Sequence, residues 1–344
     1  MKMRHSMMIL AAAAACVVTL AACGPKAPKP VNVIFETDLG NDIDDAMAMD
    51  MLYKYMDERR VNLLAIMINK DCGIYPAKFA DIMNVWYGYE VPIGVVSDGV
   101  PGDANVVNYA QVISEMKDEA GDPLYATSDM DYKSLPDAVS LYRKILAGMP
   151  DKSVKIVSVG FLTNLSRLLE SGGDRFSPLG GRELVAKKVI SLTTMGGFFS
   201  GRNQEFNIVS DVPASRNVFA NWPTEVTTTP FEVGIQICYP GRSIEHNLDW
   251  GIPHPMRDGY LAYCPMPHDR PCWDLTAVLY AVEGEQWFGV SEPGTIEVDE
   301  EGFTTFVPSP DGKHHFLAVD PDHADAVKGR LIQILEKMPV KYQD

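Results

Sequence analysis

The stretch VNVIFETDLGNDIDD, residues 31–45, runs from five residues of apolar character into five acids, Glu36, Asp38, Asp42, Asp44 and Asp45, within ten positions. The run VNVIF reads as a buried strand, Leu39-Gly40-Asn41 as a turn, and residues 46–58 as a helix with apolar positions near 3.6 spacing. The acids therefore fall at the carboxyl end of a strand, where open α/β sheets place their ligand sites. Crowded carboxylates repel one another and resist desolvation unless they share a hard cation, and calcium accepts many oxygen ligands in flexible geometry. Calcium is the cofactor this cluster predicts. Helix capping accounts for Asp44 and Asp45 but not for Asp38, which lies on the strand side of the glycine turn. An EF-hand does not fit, because counting from Asp38 or Asp42 puts Met49 or Tyr53 where its bidentate Glu belongs.

Upstream, Lys2 and Arg4 begin the chain, residues 7–20 are apolar, and Leu20-Ala21-Ala22-Cys23 closes the segment. This arrangement resembles a bacterial lipoprotein signal over residues 1–22. The resemblance implies that Cys23 is the lipidated first residue of the mature chain and that residues 23–30 form an extended tether. The expected location is the cell envelope, with membrane contact through the lipid alone. Without Lys2 and Arg4, the 30 basic residues become 28 against 46 acidic ones, a formal charge of −18. Such a balance, with no Lys/Arg run, excludes a binder of nucleic-acid polymers and suits an enzyme for neutral small molecules. Of six cysteines, Cys72, Cys238, Cys264 and Cys272 lie beyond Cys16 and Cys23, and their spacing matches no zinc signature. A disulfide between the nearest pair, Cys264 and Cys272, and buried free thiols both remain open.

Further along, apolar runs at 63–68, 91–96, 154–159, 189–194 and 226–237 alternate with helix-compatible stretches such as 76–87, 136–148 and 163–171. The expected fold is α/β, an open, largely parallel sheet flanked by helices, in one domain over 31–344. Residues 97–131 and 240–271 read as long loops, which tend to carry or cover sites.

Asp38-Leu39-Gly40 followed by Asp44-Asp45-Ala46 resembles the N-terminal acidic motif of the nucleoside hydrolases. Three further segments agree in order and rough spacing: Val159-Gly160-Phe161-Leu162-Thr163-Asn164, Met195-Gly196-Gly197 with Glu205-Phe206-Asn207, and Trp273-Asp274-Leu275-Thr276-Ala277-Val278. The resemblance implies a calcium-dependent hydrolase that splits the N-glycosidic bond of ribonucleosides, a small-molecule substrate class. It implies calcium on Asp38, Asp45, the Val159 carbonyl and Asp274, with positions left for a water and two ribose hydroxyls. It further implies that Asp38 takes the water's proton and that Asp44 accepts a hydrogen bond from ribose. Asn164, Glu205 and Asn207 join the substrate contacts on the same grounds, Trp273 joins them as a residue able to stack on a base, and alternating positions let Glu205 and Asn207 point to one side while Phe206 packs behind them. Homo-oligomerisation stays open.

This chain also departs from the family pattern. Two extra residues separate Gly40 from the Asp44-Asp45 pair, Leu39 replaces a common Pro, and Asp42 becomes an added candidate pocket residue. Trp273 stands where well-studied members carry a His that protonates the leaving base. Trp has no titratable proton, so it either stacks on a base or packs. His268 is a candidate acid if its loop folds inward, and Asn203 is a candidate for an additional sugar contact. Glu36 is expected to support the site from behind. Two alternatives stand beside the hydrolase: a non-catalytic nucleoside- or ribose-binding lipoprotein, and a hydrolase of a different N-riboside. A phosphatase is disfavoured, since Glu36 occupies the place of its nucleophilic Asp.

Overall fold

The computed structural model describes residues 29–40, 42–102 and 108–343. Its centre is β1 (Val31–Thr37), in which Val33, Ile34 and Phe35 are fully buried. Such a strand reads as continuously apolar because both its faces are covered. Val33 and Phe35 join one core, and Ile34 joins the core on the opposite side of the sheet. The strands that follow are β2 (Val61–Asp71), β3 (Ile93–Pro101), β4 (Val154–Ser158), β5 (Val189–Met195) and β6 (Glu225–Thr229). A small separate pair comprises β7 (Cys238–Tyr239) and β8 (Arg270–Pro271). The chain completes the main sheet with β9 (Gly289–Val290), β10 (Gly294–Val298), β11 (Thr304–Pro308) and β12 (His314–Ala318).

The main sheet has the order β11-β10-β12-β6-β5-β4-β1-β2-β3, with β9 also paired to β12. It is parallel from β3 across to β12 and antiparallel where β9, β10 and β11 join. The chain moves outward from β1 through β2 to β3, then returns to lay β4 on the other side of β1. Adjacent loops diverge at this reversal and leave a crevice at the carboxyl ends of β1 and β4.

Directly after β1, the helix Asp44–Asp57 enters the interior, and its residues from Asp44 to Tyr55 are all buried. It packs against the helices Trp273–Glu283 and Pro321–Leu335 as well as the sheet. A helix enclosed this way has no solvated face, so its charges must pair internally. Lys54 does so, lying 3.0 Å from Asp50 and donating to the Leu335 carbonyl.

The expected alternation is present, with local corrections. The apolar run 226–237 is not one strand. β6 stops at Thr229, Pro230 follows without an N–H to continue the ladder, and Phe231–Gly234 forms a short helix. β2 and β3 extend beyond the runs 63–68 and 91–96, and β3 takes up the start of the expected loop 97–131, which also holds the helix Tyr109–Glu115. The expected loop 240–271 contains helices Gly241–His246 and Pro255–Tyr263 as well as β8. Cys72, Cys238, Cys264 and Cys272 are free thiols, so Cys264 and Cys272 are not joined. Cys23 and the expected signal, and most of the expected tether, lie outside the described residues. No helix among the described residues is long and apolar enough to cross a membrane.

Candidate active site

β1 ends at Thr37, and Asp38, Leu39 and Gly40 turn the chain toward the buried helix. The Thr37 hydroxyl accepts the Leu39 N–H at 3.1 Å and donates to the Asp45 carboxylate. Gly40 has φ +122°, a conformation side chains rarely tolerate, and its N–H donates to the Tyr109 hydroxyl at 3.3 Å. Asp44 and Asp45 form the first turn of the helix.

Across the crevice, Val159 follows β4. Its N–H donates to the Glu36 carbonyl at 2.8 Å, and its own carbonyl accepts from Asn207 Nδ2 at 3.1 Å. Gly160 sits tightly against Asp38: a Cβ there would lie 2.6 Å from the Asp38 nitrogen and 2.7 Å from both Asp38 Oδ1 and Asn69 Oδ1. Asp274 arrives from far along the chain as the second residue of the helix Trp273–Glu283. Asp44 caps that helix, its Oδ2 accepting the N–H groups of Trp273 and Asp274 at 3.1 Å each.

Carboxylate oxygens of Asp44, Asp45 and Asp274, all buried, lie within 4.8 Å of one another. Asp38 stands outside this tight group, with Oδ2 3.5 Å from Lys70 Nζ, but shares the cavity with it. Burial raises the carboxyls of Asp38, Asp44, Asp45 and Asp274 above their ordinary values, and neighbouring acids raise them further, while Lys70 acts in the opposite direction on Asp38. Such packing of like charges in the interior is relieved by a shared cation. The donors are oxygens from carboxylates and a nearby carbonyl, a set that fits a hard divalent metal.

Glu205 caps the helix Phe206–Ser210, its carboxylate accepting N–H groups of Asn207, Ile208 and Gly197 at 2.9, 3.1 and 3.3 Å. Burial still pushes its carboxyl up to about 7. Because the chain turns into a helix here rather than continuing extended, Phe206 does not pack behind Glu205 and Asn207. It is 58% exposed and lines the cavity.

Asp38, Asp44, Asp45, Val159, Glu205 and Asn207 surround one cavity of about 280 Å³, together with Trp273 and Asp274. Asn164 is not among its lining residues. Asn164 is buried beneath, donating to the Ile68 carbonyl at 3.2 Å. Glu36 accepts from the Tyr142 hydroxyl at 2.7 Å, and burial pushes its carboxyl up to about 8. Asn203 is exposed and away from the cavity. His268 does not turn inward to it either; its ring stacks on Tyr260 at 4.4 Å.

Sequence reasoning missed Met195 as a lining side chain, Phe231, Tyr263 and Arg270. Asp42 lines the cavity and grips Arg270, which donates to it through Nε at 2.9 Å and through Nη2. A buried surplus of acid implies some cationic partner, but nothing in the sequence says which basic residue supplies it. Trp273 packs 5.4 Å from the Phe231 ring, and its Nε1–H donates to the Phe231 carbonyl at 3.0 Å.

A cavity lined by carboxylate oxygens and an aromatic wall thus stands at the switch point of a largely parallel sheet, where α/β folds bind small ligands. The model described as inosine-uridine preferring nucleoside hydrolase matches residues 33–325, and the chain belongs to that family. No curated protein matches the chain in sequence. Among solved structures it is similar to a plant nucleoside hydrolase at 16% identity and TM-score 0.65, covering 89% of this chain and 98% of that one. It is similar to the purine-preferring ribonucleoside hydrolase of Gardnerella vaginalis at 18% identity and TM-score 0.65, covering 89% and 99%. The inosine-uridine preferring nucleoside hydrolase of Bacillus anthracis gives 19% identity and TM-score 0.62, covering 88% and 99%.

Proposed function

We propose that this protein hydrolyses the N-glycosidic bond of ribonucleosides in a calcium-dependent reaction, releasing ribose and free base. The observation that carries the reading is the convergence of Asp44, Asp45 and Asp274 within 4.8 Å in a cavity shared with Asp38. Asp38, Asp45, Asp274 and the Val159 carbonyl would hold the ion, which would supply Lewis-acid activation of a water and a template for the ribose diol. Asp38 takes the water's proton, with Lys70 beside it holding the carboxylate in place. Asp44 has its Oδ2 tied to the backbone at 273 and 274, so its other oxygen accepts from a ribose hydroxyl. Glu205 and Asn207 border the sugar, and Phe231 and Trp273 form an apolar wall for the base. Asn164 holds the Ile68 carbonyl beneath the cavity rather than touching substrate. Cys23 carries a lipid that tethers the domain in the cell envelope, and Cys23→Ser should release the protein from the membrane fraction.

A capture protein that binds nucleosides without cleaving them is the second reading, favoured by the lack of a titratable proton on Trp273. Ribose release from a panel of ribonucleosides, with calcium or chelator and with Asp38→Asn as control, separates the two. Calcium-dependent release lost in Asp38→Asn supports hydrolysis, whereas calcium-dependent binding without release supports capture.

A further inference from the structure

Breaking the C1′–N bond sends its electron pair onto the base, and that charge must meet a proton or a fixed cation. Trp273 supplies neither, since its indole N–H is committed to the Phe231 carbonyl. His268 stacks on Tyr260 outside the cavity. Tyr263 lines the cavity, but burial pushes its hydroxyl up to about 12, leaving a weak acid.

Arg270 lines the same cavity, its guanidinium 5.2 Å from the ring centres of both Tyr263 and Trp273. Asp42 fixes the plane of that guanidinium through Nε and Nη2. Among the described residues, Nη1 has no hydrogen-bond partner. Asp42 lies in the stretch where this acidic turn is longer than the family pattern, so the lengthened turn and the held cation form one device. An arginine remains charged at any working pH, and its rigid fork suits a planar acceptor edge.

Resting on the hydrolase reading above, we propose that Arg270, held by Asp42, is the catalytic group that stabilises the departing base. The water oxygen bonds to C1′ as the C1′–N bond breaks, and the water's proton passes to Asp38. The bond's electron pair leaves on the base, spread over its ring nitrogens and exocyclic oxygen against the guanidinium. The base then takes a proton from solvent. No titratable acid is required, which resolves the absence of a His at position 273.

The test compares inosine with p-nitrophenyl ribofuranoside, whose phenolate leaves without assistance, using calcium-loaded protein. Arg270→Met should lose about 100-fold or more in kcat on inosine but less than about 5-fold on the nitrophenyl riboside. Arg270→Lys, which keeps charge without the fork, should fall between wild type and Arg270→Met on inosine. Added guanidinium should restore part of the inosine rate to Arg270→Ala, and Tyr263→Phe should leave the ratio of the two substrates unchanged. Equal losses on both substrates, or none on either, would overturn the assignment and leave Arg270 as a structural partner of Asp42. A wild type that cleaves neither riboside refutes the hydrolase reading, and the assignment with it.

Discussion

Asp44 and Trp273 are 229 residues apart in sequence, yet one carboxylate oxygen of Asp44 caps the helix that Trp273 begins. The same side chain belongs to the acidic group, so its two roles can be separated by substitution. Asn caps nearly as well as Asp, whereas Ala forfeits about 1 kcal/mol. In chelator, Asp44→Asn should melt at or above the wild-type temperature because it also removes repulsion, and Asp44→Ala should melt below Asp44→Asn. Both should raise KM for nucleosides. Thermal midpoints in chelator check the first expectation and steady-state kinetics the second.

Calcium should raise the thermal midpoint, since a ligand binding only the folded state at a hundredfold over its Kd adds about 2.7 kcal/mol. Magnesium should raise it less, because it demands near-octahedral geometry and keeps its waters. Asp274→Asn should abolish most of the calcium shift. A midpoint in calcium equal to that in chelator would rule out a filled cradle.

Gly160→Ala places a methyl against the Asp38 backbone and carboxylate, where only a hydrogen fits. Overpacking of this kind costs about 1–3 kcal/mol. The variant should remain folded but lose about 10-fold or more in kcat through displacement of Asp38, in line with the sensitivity of catalysis to small misplacements. Circular dichroism and ribose release together check this; unchanged kcat would contradict the close approach.

His254 is fully buried, stacked on Trp86 at 4.3 Å and 3.5 Å from the Asp50 carboxylate. Burial lowers it from 6.5 to about 3; Asp50 opposes that shift, while Lys54 and Arg257 reinforce it. Between those values the unfolded chain binds a proton at this site that the folded chain refuses, so stability falls as pH drops below 6.5. One such proton contributes up to about 1.4 kcal/mol per pH unit across the window. His254→Gln should show a shallower decline between pH 6 and pH 4 in urea unfolding, and parallel curves for the two proteins would contradict it.

Much of this was legible from the first acidic segment. Val33, Ile34 and Phe35 gave a doubly buried strand because an interior parallel strand needs no polar face, and the glycine turn placed acids at its end. The composition of the site was less legible than its position. Asn164 sits in a motif, yet its amide serves the Ile68 carbonyl below the cavity, a depth that linear spacing does not encode. Phe206 was misread because period-two alternation assumes a strand, whereas Glu205 starts a helix by capping it. Arg270 was invisible because its position depends on β8, inside a stretch read as loop, forming a two-residue ladder with β7 just after the apolar run 226–237.

The order of strands also bears on how the molecule is made. β1 lies between β2 and β4, and its Asn32 reaches Ser153, 121 positions further along the chain. Parallel pairings of this kind form slowly, because a long loop must close before any contact rewards it. The acids of 36–45 leave the ribosome early, while Asp274 and Arg270 arrive only after most of the chain has been synthesised. Until then Asp42 and Asp44 lack the partners that Arg270 and the backbone at 274 supply in the folded chain. The site is therefore a late checkpoint of folding, completed only when the distal segment reaches an acidic turn laid down early.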